Sequence, residues 1–461
     1  MKTSTVDDPL QQIPELPEQK DLYHTAFHMA WPTMLESFLI SMTGFVDTIM
    51  VSALGASAIA AIGLTDQPKF IGLCAFFAIA TAISSICARR KGENDRDSAN
   101  VLLRKMLFFG IVLCIIVSTI LFFGADFILT LAGSQEDTHD LAVGYFRIIA
   151  AGMIFTAVTQ ILNAAQRGVG NTRISMITNT TANVVNVVFN YLLIGGRFGF
   201  PALGVNGAAI ATVLGTAAGC AISIASALNP NSFIYLRYRA KEKKIQSKDL
   251  RATLDIGGSA FMEQVFLRIG FFLFALTVAK LGTIALSAHT IAMKILNLSF
   301  SLADGLSIAS IALVGRSLGQ KKPELARAYG TICRRIGVMC SVLISIVFLF
   351  FGKSLFALFT DEAVILDYST MLIALLCVIT YVQIAQVVTT GCLRGAGDTK
   401  FTAFTSLISV AIVRPLASWV LCYPCGLGLT GIWLGLLADQ AIRFLFSFIR
   451  FRQGKWLNIK V

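Results

Sequence analysis

The sequence contains few charged residues. Of its 461 residues, 14% are Asp, Glu, Lys or Arg, whereas about a quarter are charged in a typical soluble domain. Apolar residues make up 56% of the chain, and the mean hydropathy is +0.73. This composition excludes an ordinary soluble protein and indicates an integral membrane protein.

Patterns typical of catalytic or metal-binding sites are also missing. The chain has four histidines and contains no HExxH, GxSxG or GxxxxGK[ST] motif. Its ten cysteines are scattered through apolar segments, and the CxxC at Cys422 and Cys425 has no second pair or nearby histidine. We therefore expect no disulfide framework, no metal and no cofactor. A membrane-embedded enzyme is disfavoured.

Long apolar runs dominate what is present, and crossing a membrane takes about 20 such residues. We predict about twelve spans of roughly 20 to 28 residues each, beginning near residues 25, 66, 105, 141, 174, 203, 253, 285, 332, 368, 401 and 428. The polar start, "MKTSTVDDPLQQIPELPEQKD", reads as a tail and not as a signal peptide. The fold class is therefore all-α integral membrane.

Basic residues follow the predicted topology. The net charge is +12, and Lys and Arg concentrate in alternate loops, including "ARRKGENDR" and "RYRAKEKKIQSKDLR". Two of the opposite loops, "GSQEDTHD" and "FTDEAVILD", are acidic. The positive-inside rule predicts a multi-pass protein of the cytoplasmic (in some bacteria, inner) membrane with both termini in the cytoplasm. A nucleic-acid partner is not needed to explain the charge.

Two similar polar motifs interrupt the apolar sequence. "RGVGNTR" begins at Arg167 and "RGAGDTK" begins 227 residues later at Arg394. The same separation relates Glu36 to Glu263, and near the ends of the halves, at "LGVNG" and "LGLTG", the separation becomes 224. Each half has an even number of spans, so the halves are parallel repeats, an N-lobe and a C-lobe around a central cavity.

The repeat divides the chain into five predicted segments. These are a cytoplasmic tail, the N-lobe with spans 1–6, a basic cytoplasmic linker, the C-lobe with spans 7–12 and a second cytoplasmic tail, at residues 1–24, 25–228, 229–252, 253–449 and 450–461. The paired motifs follow the fourth and tenth spans and are predicted to be inner turns, built on Arg167, Gly168, Gly170, Arg394, Gly395 and Gly397. Their glycines suit helix ends, and Asn171 and Asp398 suit the caps of the following helices.

Carboxylates inside the spans are candidate functional groups, because each costs roughly 2.5 to 3.5 kcal/mol to insert. Asp47, Glu263 and Glu36 are the predicted cation- or proton-coupling residues. Glu263 lies about 18 Å along a helix from Arg251, near the membrane midplane. Polar side chains in other spans are possible cavity or cation ligands, although packing between helices is an equal alternative for the amides: Asn186, Asn190, Gln383, Gln386, Tyr381, His289 and Lys294.

Other charged residues in the spans have a structural explanation or several possible partners. Asp439 and Arg443 are four residues apart and fit a local ion pair. The partners of Arg268, Lys294, Asp304 and Arg414 stay open.

The segments "GFVDTIMVSALGASAIAAIG" and "LGTIALSAHTIAMKI", with the doubled "RGVGNT" and "RGAGDT", resemble the multidrug and toxic compound extrusion (MATE) family, in particular its bacterial NorM- and DinF-like members. The resemblance covers nearly all of residues 25 to 450. It implies a twelve-span, two-lobed antiporter that expels amphipathic, often cationic compounds as Na⁺ or H⁺ enters. The family's first-span acid in its V-D-T motif matches Asp47, and its seventh-span Glu matches Glu263.

Two positions depart from patterns seen in that family. Gln383 stands where many members have Asp in the tenth span, and Asn190 stands where some have Asp in the fifth. The coupling ion, Na⁺ or H⁺, therefore stays open.

The expected partners are membrane lipid and small-molecule substrates, with no nucleic acid, and the protein is expected to be a monomer. The alternative is a lipid-linked oligosaccharide flippase of the same superfamily, for which Arg268, Lys294 and Arg414 could supply cations.

Overall fold

A computed structural model of the chain describes residues 17–52, 54–132, 134–239, 247–359 and 363–459. This part of the chain is helical and contains no β-strand. Its α-helices are α1 Gln19–Ser52, α2 Ala56–Gly92, α3 Arg96–Phe123, α4 Ala125–Leu131, α5 Glu136–Gly168, α6 Thr172–Leu193, α7 Gly204–Ala227, α8 Ser247–Ala279, α9 Thr283–Gly319, α10 Pro323–Ala357, α11 Ala363–Gly395, α12 Thr399–Ser406, α13 Arg414–Cys422 and α14 Gly428–Gln453.

Eleven helices in the described residues are long and apolar enough to span a membrane, with α12 and α13 forming one continuous span. The twelfth long helix is α6, whose 22 residues include several threonines and asparagines. The prediction of about twelve membrane helices is thereby confirmed. Residues 1–16 of the predicted N-terminal tail and residues 240–246 of the predicted linker lie outside the described residues.

The duplication is visible in the backbone. Gly170 and Gly397, 227 residues apart, have φ of +90° and +87°, and Asn94 and Lys321 have φ of +58° and +57°. The short 3₁₀ helix Arg197–Gly199 follows α6, in the region where the spacing changes from 227 to 224. Both halves therefore use the same turns, as the sequence repeat predicted.

Helices α1 to α7 form the N-lobe and α8 to α14 form the C-lobe, with α1 and α2 packed against α8 and α9. The lobes meet most closely where α2 and α9 end, at Gly92 and Gly319. A Cβ atom on Gly92 would lie 2.1 Å from the Arg316 carbonyl oxygen, and one on Gly319 would lie 2.0 Å from that of Arg89. We call this end of the bundle, where α5 and α11 also finish, the basic end.

The C-terminal segment also bridges the lobes at the basic end. Trp456 is fully buried and stacks on Phe451 with ring centroids 5.0 Å apart. Two residues from the end of the described chain, the Ile459 carbonyl accepts a hydrogen bond of 2.9 Å from Arg89 Nη1 of the N-lobe. The basic end is therefore closed by direct contact between the lobes.

The paired glycine motifs end α5 and α11 as predicted. A Cβ atom on Gly168 would lie 2.5 Å from the Ser84 carbonyl oxygen, so glycine is needed for the close packing of α5 on α2. Asn171 and Asp398 occupy the predicted N-cap positions, but neither side chain caps its helix. The predicted capping bonds are wrong, because these side chains have other partners: Asn171 donates to Gln166 and Asp398 accepts from Arg450 Nε at 2.8 Å.

We predict that Gly319→Ala destabilises the protein. In an open helix this change is stabilising by about 1 kcal/mol, but here the new methyl group would overlap the Arg89 carbonyl and push the lobes apart. We expect a loss of about 1 to 3 kcal/mol, seen as a lower thermal unfolding midpoint in detergent. Gly258→Ala is the control, since no atom lies within 4 Å of its added Cβ. Equal midpoints for the two variants would contradict this packing argument.

Candidate functional site

A cavity of about 540 Å³ lies between the lobes, away from the basic end. Asp47 contributes from the last turns of α1, and Asp66 and Lys69 contribute from the first half of α2. Lys294 reaches it from α9 of the C-lobe. The remaining lining residues are Gly44, Val51, Ile62, Gly63, Tyr145, Asn190, Ala208, Thr212 and Thr290.

Asp47 is held by two asparagines of α6. Its Oδ1 accepts a hydrogen bond of 2.7 Å from Asn190 Nδ2. With its amide oriented to satisfy all of its neighbours, Asn186 also donates to Asp47 Oδ1, at 2.8 Å, and accepts from the Thr212 hydroxyl at 3.1 Å. The predicted residues Asp47, Asn186 and Asn190 thus form one cluster, and the carboxylate in it is neighboured by neutral amides.

The cluster contains several oxygen atoms suited to a small cation. Asn190 Oδ1 is buried and has no hydrogen-bond partner within the described structure. An amide can turn either its nitrogen or its oxygen toward the same point. The asparagines that now donate to Asp47 could therefore present oxygens to Na⁺, while a proton would need only the carboxylate. Either monovalent cation fits the chemistry of the cluster.

The sequence analysis did not select Asp66, Lys69, Tyr145 or Thr212. Asp66 and Lys69 form an ion pair of 2.8 Å, and a signal for it existed in their i, i+3 spacing. Tyr145 and Thr212 lie on α5 and α7, and nothing in the sequence marks them, because single hydroxyls are common in membrane helices.

Glu36 has a different environment from Asp47. Its Oε1 accepts hydrogen bonds from Arg167 Nη1 at 3.1 Å, Ser175 Oγ at 2.8 Å and Asn179 Nδ2 at 2.6 Å. The carboxylate is 3% exposed. The predicted acid of α1 and the predicted arginine of the inner turn are thus partners, although the sequence analysis treated them separately.

Glu263 repeats this arrangement in the C-lobe. It accepts from Arg394 Nη2 at 2.8 Å, Ser406 Oγ at 3.1 Å and Thr402 Oγ1 at 3.1 Å. Each of the four residues lies 227 positions after its N-lobe counterpart. We call the two sets the Glu–Arg clasps. Applying the repeat spacing to the hydroxyl and amide residues would have revealed them.

A second buried ion-pair network fills the C-lobe. Asp439 accepts from Arg414 Nε at 3.0 Å and lies 3.4 Å from Arg443 Nε, which confirms the predicted Asp439–Arg443 pair. Arg414 follows a π-helical segment, Leu407–Val413, and precedes Pro415, which cannot donate a backbone hydrogen bond. This network accounts for Arg414, and neither Arg414 nor Asp439 lines the cavity.

The other cationic and aromatic candidates are separated from each other. His289 is buried between the rings of Phe274 and Trp433, with centroids at 5.3 and 5.6 Å. Arg268 of the C-lobe lies 4.7 Å from the centroid of Phe70 in the N-lobe. Neither residue lines the cavity.

The three candidates on α11 also lie away from the cavity. Gln383 and Gln386 are buried, and Gln386 donates to Thr390 Oγ1 at 2.9 Å. Tyr381 is 46% exposed. The structure therefore does not join the tenth-span residues to the Asp47 cluster.

Two parallel six-helix lobes with a charged cavity at one end and a closed contact at the other define a membrane protein of the two-lobed transporter class. The sequence model of the MatE family matches residues 32–192 and residues 260–420, once in each lobe. The chain belongs to the MatE family.

Similar proteins cover nearly the whole chain. A probable multidrug resistance protein NorM of Thermotoga maritima is 26% identical over 450 residues, which is 97% of this chain and 95% of the relative. An uncharacterized transporter, YisQ, of Bacillus subtilis is 26% identical over 447 residues, 96% of this chain and 97% of the relative. The fold matches the outward-facing structure of a multidrug resistance MATE family transporter with a TM-score of 0.86 at 21% identity, covering 96% and 99% of the two chains.

We predict that the clasps stabilise the fold. Glu263→Gln leaves Arg394 buried without a carboxylate, which costs about 3 to 5 kcal/mol for a broken buried pair. The double variant Glu263→Gln, Arg394→Gln removes both charges and is expected to lose less. Thermal unfolding in detergent measures both.

The control for this comparison is Lys400→Gln, which breaks an exposed pair with Asp255 and is expected to change stability by less than about 1 kcal/mol. If Glu263→Gln unfolds at the same temperature as the parent protein, the clasp does not stabilise the fold.

Proposed function

We propose that the protein is an antiporter that exports amphipathic, often cationic small molecules in exchange for Na⁺ or H⁺. The single observation that carries the proposal is the Asp47 cluster, a carboxylate with amide partners in a cavity between two repeated lobes. Membership of the MatE family and the names of the similar NorM proteins agree with export of drugs.

Competition for Asp47 provides the coupling in this proposal. A carboxylate in a cavity attracts a cationic compound, and a bound Na⁺ or proton cancels that attraction. Entry of the coupling ion from the outer side therefore releases the exported compound. Loss of the ion toward the cytoplasm restores the site for the next one.

Rocking of one lobe against the other is the proposed route of alternating access. The contact of Gly92 with Gly319 at the basic end and the cavity at the opposite end suit an outward-facing state. Export then requires the α2–α9 contact to open.

Glu36 and Glu263 keep a predicted role in coupling, but their environments favour Asp47 as the main ion site. Each glutamate already has an arginine partner, whereas the hydrogen-bond partners of Asp47 are neutral. A cation at Glu36 or Glu263 would have to displace or repel an arginine.

The flippase alternative has less support from the cavity. Binding a pyrophosphate requires an excess of positive charge, and the two lysines that line the cavity are matched by two aspartates. Of the cations that kept this alternative open, Arg414 pairs with Asp439 and Arg268 stacks on Phe70.

Asp47→Asn is expected to abolish gradient-driven export, because the neutral amide holds neither the ion nor a cationic compound. Ethidium transport by proteoliposomes, driven first by a Na⁺ gradient and then by a pH gradient, measures this and identifies the coupling ion. Asp140→Asn, at an exposed acid outside the cavity, should transport normally. Full gradient-driven export by the Asp47 variant would refute the proposal.

Asn190→Leu is expected to weaken coupling-ion binding. It removes a hydrogen bond to a charged group, typically about 1.5 to 3 kcal/mol, so the ion concentration for half-maximal export should rise by about tenfold or more. Asn179→Leu is a matched control on the same helix, because Asn179 bonds Glu36 instead. An equal rise in both variants would show that Asp47 is not the main ion site.

A further inference from the structure

Three arginines gather on the lipid-facing side of the C-lobe near its basic end. The Arg334 guanidinium of α10 lies 4.9 Å from the ring centroid of Phe448 on α14, and that of Arg452 lies 5.7 Å from the same centroid. Arg335 follows Arg334 in the chain and lies, like Arg452, within electrostatic range of it. We call Arg334, Arg335 and Arg452 the arginine cluster.

This arrangement is unfavourable without an anion, because like charges repel most strongly near a low-dielectric membrane. Among the described residues, no Asp or Glu forms an ion pair with any member of the cluster. Other arginines of the basic end differ in this respect: Arg90 pairs with Glu93, and Arg450 pairs with Asp398.

Exposed apolar side chains continue from the cluster toward the other end of the bundle. On α10, Met339 and Leu343 lie four and eight residues after Arg335, on the same helix face, and are 69% and 64% exposed. On α14, Ile449 and Leu445 lie on the face of Arg452 and are 43% and 52% exposed. A ligand with a phosphate beside the arginines would place its hydrocarbon chains along these faces.

We infer that the arginine cluster is a binding site for the phosphate group of an anionic phospholipid. Arginine donates several hydrogen bonds in a plane and binds phosphate oxygens in pairs. Basic pockets between helices on the cytoplasmic side of a membrane suit anionic lipid head groups. Phe448 holds two of the guanidinium groups by cation–π contact, and Tyr381 lies within electrostatic range of Arg334, which assigns this exposed residue to the lipid site.

The site is independent of ion coupling at Asp47, so its test uses binding instead of transport. The full-length protein in detergent is titrated with phosphatidylglycerol, phosphatidylcholine or inorganic phosphate, and its thermal unfolding midpoint is followed. Ligand that binds the folded state raises the midpoint. We expect a saturable rise with phosphatidylglycerol and none with the other two.

The test variant is Arg334→Gln, Arg452→Gln, for which the apparent affinity for phosphatidylglycerol should fall by about 30-fold. The single variant Arg452→Gln, at an exposed residue near the end of α14, should fall by about fivefold and covers the case in which the double variant does not fold. Arg104→Gln, Lys105→Gln is the matched control, because it removes two charges from α3, the N-lobe counterpart of α10.

Three results would overturn the inference. Unchanged phosphatidylglycerol affinity in both cluster variants would show that the arginines do not bind the lipid. An equal loss in the α3 control would indicate general surface charge instead of a site. Saturable stabilisation of the parent by inorganic phosphate, lost in the cluster variants, would assign the site to free phosphate and not to a lipid.

Discussion

The structure depends on one constraint, that a charge inside a low-dielectric helix bundle needs a partner. Glu36 and Glu263 meet it with an arginine from the end of α5 or α11 and with two hydroxyl or amide donors from the next span. Asp439 meets it with Arg414 and Arg443. Asp47 has neutral amide partners instead, so it is the carboxylate with most to gain from a mobile cation.

Duplication explains the framework, and divergence between the halves explains the site. Both lobes keep the clasp and the glycine turn, because each is needed to hold its own helices together. The position 227 residues after Asp47 is Phe274, which packs against His289 in the C-lobe. One lobe therefore carries a polar ion cluster where the other carries an apolar core, so an ion acts on one lobe of a nearly symmetric frame.

Much of this architecture could be predicted from the chain. The apolar runs and the 227-residue spacing predicted the helices and lobes, and Asp47, Asn186 and Asn190 were selected before their contacts were known. The spans of Arg167 and Glu36 were also known, but not that the two side chains meet. Periodicity within a helix shows which residues share a face, and it gives no information about the rotation of one helix against another. The capping bonds of Asn171 and Asp398 failed for a similar reason, because the competing partner of Asp398 lies on another helix.

The sequence alone determined that this is a duplicated, all-α membrane protein with acids inside its spans, since hydropathy and spacing are properties of the chain. Only the tertiary structure decided which acids already have arginine partners and which one faces a cavity, and that three arginines from α10 and α14 gather around Phe448. These outcomes depend on contacts between residues more than a hundred positions apart. Such contacts are set by helix packing at glycines such as Gly92 and Gly319, where the backbones of two lobes touch.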